Sequence, residues 1–226
     1  MGVKNEMEHL VRDEVARVKA EGGSGYVGCW CPLCEIDIVA LALTLLPPLY
    51  CRTATYGHAA GLIRAGTISD AVQSALKRVD LWPKHRPGTL PTTRDEIALI
   101  NYTFEVGAEM VGPALGLSAS GCVCDECRSD TLAYALNRYP AKYGVSRSGQ
   151  RSLHPTYLDF MRYELGMLIH QAARVVSSHP HHDGCLKGPI CCVALLPAHC
   201  GGHEPASFAG RRAPCIWTRL IGLSVS

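Results

Sequence analysis

Long apolar runs are missing from this chain of 226 residues. The longest candidate, Ile36 to Leu46, is too short for the roughly 18–20 residues that cross a bilayer and is interrupted by Asp37. The opening residues, Met1-Gly2-Val3-Lys4-Asn5-Glu6, hold no apolar signal core. The expectation is a cytoplasmic protein without a membrane partner. Charge of one sign is scarce as well: 22 basic residues face 20 acidic ones. Residues 1–183 come to −1 and residues 184–226 to +3, so the body lacks the basic surface that grips nucleic acid by releasing counterions. There is no G-x-S-x-G, no phosphate-cradling glycine loop and no H-E-x-x-H, and no other group pairs with a nucleophile as a general base. The chain is therefore expected not to be an enzyme. Convincing strand alternation is also lacking, which leaves an all-α reading.

Cysteine, by contrast, is abundant: there are twelve. Without an export signal they should be mostly reduced, and close spacing then points to metal binding or redox chemistry before a disulfide framework. Six of them form one pattern used twice. Cys29, Cys31 and Cys34 share the spacing C-x-C-x-x-C with Cys122, Cys124 and Cys127, 93 residues later. The offset persists through Asp37/Asp130, Ala40/Ala133, Ala42-Leu43/Ala135-Leu136, Pro47/Pro140 and Tyr50/Tyr143. Cys51 continues the first copy, but its counterpart is Gly144. Trp82-Pro83-Lys84-His85 then aligns with His179-Pro180-His181-His182 at an offset of 97. This is a tandem duplication, with copies expected at 5–87 and 94–183. Each copy is small for an independent fold, so the two are expected to share a core.

Within a copy the pattern reads helix, cysteine knuckle, helix, loop, helix. Met7, Leu10, Val11, Val15 and Val18 recur at helical spacing, ended by Gly22-Gly23-Ser24-Gly25. In the second copy Thr93-Arg94-Asp95-Glu96 has the form of a capping box, and Ile97, Ile100, Phe104, Ala108 and Val111 would make the buried stripe of the helix it opens. Glu35 to Leu46 is apolar nearly all round, predicting burial on more than one side, and Pro47-Pro48 stops it. Ser69–Val79 and Thr156–Val176 supply the last helices. Residues 184–226 have no counterpart in the first copy; their five cysteines and His199 and His203 allow a small metal-binding appendage, but the expectation is an irregular tail.

Three thiols within six residues, placed before a helix, can converge on one ion, and a helix N-terminus favours their negative charge. Zinc is the expected cofactor. A structural site needs a fourth ligand. Cys51 is a candidate in the first copy; Asp37 and Asp130, or His85 and His182, are candidates present in both. The two aspartates are equally well explained as charges complementing a helix N-terminus. Cys31-Pro32-Leu33-Cys34 also has the form of a dithiol oxidoreductase motif, but no strand precedes it and the second copy carries Asp125-Glu126 between its cysteines.

At these residues the chain resembles the late competence protein ComFB family. The resemblance rests on Cys122-Val123-Cys124-Asp125-Glu126-Cys127 followed by Asp130 to Tyr143, on Cys29 to Cys34 followed by Asp37 to Leu43 and Leu46 to Tyr50, and on the terminal Pro83/His85 and Pro180/His182. It implies a small helical, zinc-binding domain that forms homodimers, and bacterial members are implicated as receptors for cyclic dinucleotides such as cyclic di-GMP or cyclic di-AMP. A tandem copy then implies an intramolecular pseudo-dimer, with a higher oligomer or a regulatory protein partner left open. If such a ligand binds, Arg138, Lys142 and Tyr143 are candidates to meet its phosphates and bases, although each has an ordinary structural explanation. The first copy has Thr44-Leu45 in place of Asn137-Arg138, and Leu49 in place of Lys142. The expected function is a non-enzymatic regulatory protein; the alternatives are a structural zinc module that binds proteins and, behind it, a thiol oxidoreductase.

Overall fold

The computed structural model describes residues 2–22, 26–52, 63, 65–85, 97–117, 122–147 and 153–178. The expectations for Gly23–Gly25, Thr93–Glu96, His181, His182 and the tail 184–226 lie outside these residues. Among the described residues six helices carry the fold: α1 (Met7–Ala20), α2 (Pro32–Leu45), α3 (Ala65–Leu81), α4 (Tyr102–Gly116), α5 (Asp125–Leu136) and α6 (Pro155–Ser178). The body is all-helical, as its periodicity indicates. Added to it are two short antiparallel strand pairs, β1 (Val3–Asn5) with β2 (Tyr50–Arg52), and β3 (Ile97–Asn101) with β4 (Tyr143–Arg147).

The β3 pair corrects one expectation. Ile97 and Ile100 do not sit on a helical stripe, because residues 97–101 bond in register to residues 143–147. The helix starts only at Tyr102, where the Asn101 side chain caps it by accepting the Phe104 amide at 3.0 Å. An asparagine oxygen satisfies one of the free amide donors of the first turn, which is why the boundary falls there. Phe104 and Val111 do face the core of α4, as expected.

Each half builds its own core. Val11, Val15 and Val18 of α1, Ile38, Ala42 and Leu43 of α2, and Val72, Ala75 and Leu76 of α3 pack together. Val111, Leu132, Leu136, Leu165 and Ile169 do the same for α4, α5 and α6. The halves then exchange their strand pairs. Val3 and Tyr50 of the first half are built into the second core, while Leu99 and Tyr143 of the second pack against the first. Val3 and Leu99 are equivalent by an offset of 96, Tyr50 and Tyr143 by 93. The exchange is thus reciprocal, the mark of an isologous interface, here closed inside one chain.

This seam explains α2. It is apolar nearly all round because one face meets α1 and α3 while the other meets β3 and β4. Leu33 and Ala40 of α2 form a further small core with Ile97 and Val145. On the other side α5 receives β1 and β2. Polar side chains fix the register. The Asn5 amide donates to the Tyr143 hydroxyl at 2.8 Å, and Asn101 donates to the Tyr50 hydroxyl at 2.8 Å, the same contact with the halves interchanged. Among the described residues no helix is long and apolar enough to cross a membrane.

Candidate metal centres

The knuckle geometry follows from helix capping. Cys31 is the N-cap of α2, extended in backbone, with Pro32 at the first helical position and its sulfur accepting the Cys34 amide at 3.5 Å. Cys124 caps α5 in the same way, accepting from Cys127 at 3.4 Å. The third cysteine lies within the first turn, so the helix start aims two sulfurs at one point. Cys29, two residues before the cap, accepts the Cys31 amide at 3.4 Å. These N–H donors and the positive end of the helix favour thiolate over thiol.

Two clusters result. In the first, Cys29, Cys31, Cys34 and His85 bring their ligand atoms within 4.8 Å of one another, with His85 Nε2 3.1 Å from Cys34 Sγ. Three sulfurs and one imidazole are a donor set that tetrahedral zinc sites use, so the residues gathered here fit that ion. The second cluster gathers Cys122, Cys124 and Cys127. Its equivalent of His85 is His182, outside the described residues.

Cys51 is placed elsewhere. It sits fully buried on β2, its thiol donating to the Glu6 carboxylate at 3.2 Å, and it joins neither cluster. The fourth donor beside the first trio is His85 instead, carried there by the segment that follows α3. The repeated Pro-x-His landmark was the sequence signal for it. Asp37 and Asp130 are not brought to the sulfurs either. Asp37 is buried and paired with Lys84 at 2.5 Å, and Asp130 is buried and paired with Arg52 at 3.4 Å. Both act as partners of cations near a helix start. Lys84 and Arg52 carried no sequence signal, since neither has a counterpart of its own charge at the repeat offset.

Crowding the thiols splits their acidity. Burial opposes charge on Cys31, yet the amide of Cys34 and the neighbouring Cys29 hold its pKa below the ordinary thiol value. Cys34 is pushed up to about 12, by burial first and then by Cys31. Cys124 and Cys127 repeat the pair, the former lowered against burial by the Cys127 amide, the latter raised to about 12. One thiol ionises readily and its neighbour resists, a conflict that a divalent cation removes. Aromatic cover adds to the first cluster: Tyr26 meets Trp30 edge-on at 5.0 Å, and Lys19 lies 5.8 Å over the Trp30 ring. Val123 stands where Trp30 stands in the repeat and is exposed.

The residues considered for a nucleotide are only half-buried but already engaged. The Arg138 guanidinium rests 3.5 Å over the Tyr134 ring and donates to the Tyr134 carbonyl at 3.0 Å. The Tyr143 hydroxyl donates to Glu8 at 2.8 Å and accepts from Asn5 and Asn101. Lys142 gives its backbone amide to Thr103 Oγ1 at 2.8 Å. None of the three lines the cleft on α6 or the one between β1, α1 and the start of α4.

The sequence model of late competence development protein ComFB matches this chain twice, over residues 4–83 and again over 101–180. No curated protein and no solved structure gives a match.

Proposed function

The chain belongs to the ComFB family, whose members are non-catalytic regulatory proteins, and from that premise we propose that it is a zinc-stabilised signalling scaffold with a cyclic dinucleotide as its effector. The halves are taken as 5–87 and 94–183, with 184–226 appended. The observation that carries the reading is the pair of thiol clusters at equivalent helix starts, each clamping the helix that also receives the other half's strands. Zinc supplies a structural cross-link there. Cys29, Cys31, Cys34 and His85 would hold one ion, and Cys122, Cys124 and Cys127 would contribute to the second. An effector that altered the seam would act on both halves at once, since each core contains residues of the other. Arg138, Lys142 and Tyr143 remain the residues proposed from family resemblance.

A second reading, a protein-interaction module without a small-molecule ligand, is favoured by one observation: Arg138 and Tyr143 are spent on contacts within the fold. One experiment separates the two. Metal-loaded protein is titrated with cyclic di-GMP and with cyclic di-AMP while its melting is followed; a ligand that binds only the native state raises the melting temperature with concentration. A rise with either supports the receptor. No rise at saturating concentration, with two metal equivalents found by mass spectrometry, leaves the interaction module.

A further inference from the structure

A cleft of about 460 Å³ opens at the seam, between β1 and α1 of the first half and the start of α4 of the second. That volume is within the ~300–1,000 Å³ usual for small-molecule sites. Its base is held by hydrogen bonds within the fold. Asn5 and Tyr50 are buried, and the Tyr50 hydroxyl and Asn101 side chain are bonded to each other. Its rim is different. Lys4 and Arg12 line it, both are exposed, and neither has a hydrogen-bonding or ionic partner among the described residues. Arg17, one face further along α1, shows the contrast: Glu14 and Glu21 hold it at 2.7 and 2.6 Å. His9 also lines the cleft, with its imidazole on Asp13 at 3.1 Å. Among the described residues Glu8 is the one carboxylate in the lining, and its Oε1 is taken up by Tyr143 and Asn101, so two cations stand there against a single, already bonded anion.

The second half does not repeat these residues at its equivalent positions, of which Phe104 lines the cleft. At the offset of 96 that relates α4 to α1, Lys4 becomes Ile100, Glu8 becomes Phe104, His9 becomes Glu105 and Arg12 becomes Ala108. The duplication has kept the cleft and confined its cations to the first half, while the second contributes the half-buried ring of Phe104.

We infer that the seam cleft binds one ligand per chain, an anion with a flat ring such as an aryl or nucleoside phosphate, whose phosphate is held by Lys4 and Arg12 and whose ring lies on Phe104. Charge-assisted bonds from two free cations suit a phosphate, and a ring packs on a phenylalanine whatever its hydrogen-bonding edge. The inference rests on the receptor reading but differs from it in place, since Arg138 and Lys142 are not in the cleft.

Calorimetric titration of the full, metal-loaded chain tests it, with GMP, AMP, inorganic phosphate and cyclic di-GMP as probes. A nucleoside monophosphate binds one to one and at least tenfold more tightly than inorganic phosphate. The Lys4→Ala/Arg12→Ala variant weakens binding tenfold or more with metal content and melting temperature unchanged. Phe104→Leu brings the nucleotide down to the affinity of phosphate, and Arg138→Ala/Lys142→Ala binds as the parent does. Binding that survives the Lys4/Arg12 change, or that is lost with Arg138 and Lys142 instead, overturns the cleft and leaves the receptor standing. Two ligands per chain overturn the one-sided assignment. Binding of none of the four probes overturns the cleft and leaves the receptor to the separate titration with cyclic di-AMP.

Discussion

The two halves share one plan and differ in how each part of it is secured. In the first, a histidine completes the thiol trio, an aromatic pair covers it, and a buried aspartate is answered by Lys84 of the same half. In the second, the equivalent aspartate is answered by Arg52, from the other half. Where the first half has Val11, the second has Gly107, and a Cβ there would come within 2.9 Å of Leu132. Where the first has Thr44, accepting the Tyr143 amide at 3.4 Å, the second has Asn137, which accepts the Tyr50 amide at 2.6 Å and donates to the Tyr50 carbonyl at 2.9 Å. A homodimer must make each such contact twice with the same pair of residues. A duplicated chain is released from that constraint, and the two ends have been tuned separately: the second half grips the first more firmly than it is gripped.

The largest expected effect concerns the metal. Structural zinc contributes on the order of 10 kcal/mol in small domains, so chelation should remove most of the cooperative melting transition and much of the helical circular dichroism. The halves should part company under graded chelator. His85→Ala should release the first half's ion at lower chelator concentration, read as metal retained per chain by mass spectrometry, while the second half's ion is released as before.

Next in size is the small core at the seam. Leu33→Ala removes a fully buried side chain that packs with Ile97 of β3 and Val145 of β4 across the seam, at a cost of about 2–5 kcal/mol. Because the strand exchange links the two cores, the loss should shift a single denaturant transition observed by both Trp fluorescence and far-ultraviolet dichroism. Two separated transitions would show the halves to be independent.

Smaller still is the polar grip. Asn137→Ala strands the buried amide and carbonyl of Tyr50, costing about 1–3 kcal/mol in chemical denaturation. Thr44→Ala, the equivalent change in the first half, removes a longer bond and should cost about 1 kcal/mol or less. Equal losses would remove the asymmetry argued above.

Much of this was legible in the chain. The repeat was visible in the cysteines, the helices in their apolar spacing, and the double burial of α2 in its lack of a polar face. The strands were not. Residues 97–101 mimic a helical stripe at Ile97 and Ile100, and only pairing with residues 143–147 decides against it. The conserved role of Asn5 and Asn101 was equally hidden, since the offset shifts from 93 to 96 between the knuckle and the preceding helix and the two asparagines do not align at the knuckle's period.

By itself, the sequence determined that six thiols would stand at two helix starts, because local capping geometry places residues three apart on one turn. Tertiary structure alone decided that His85 and not Cys51 would stand beside the first trio, that Asp37 and Asp130 would pair with Lys84 and Arg52 and not join the sulfurs, and that each half would lend its strands to the other. Those outcomes depend on which faces meet across the chain, and spacing along a sequence carries no information on distance between elements that fold back on one another.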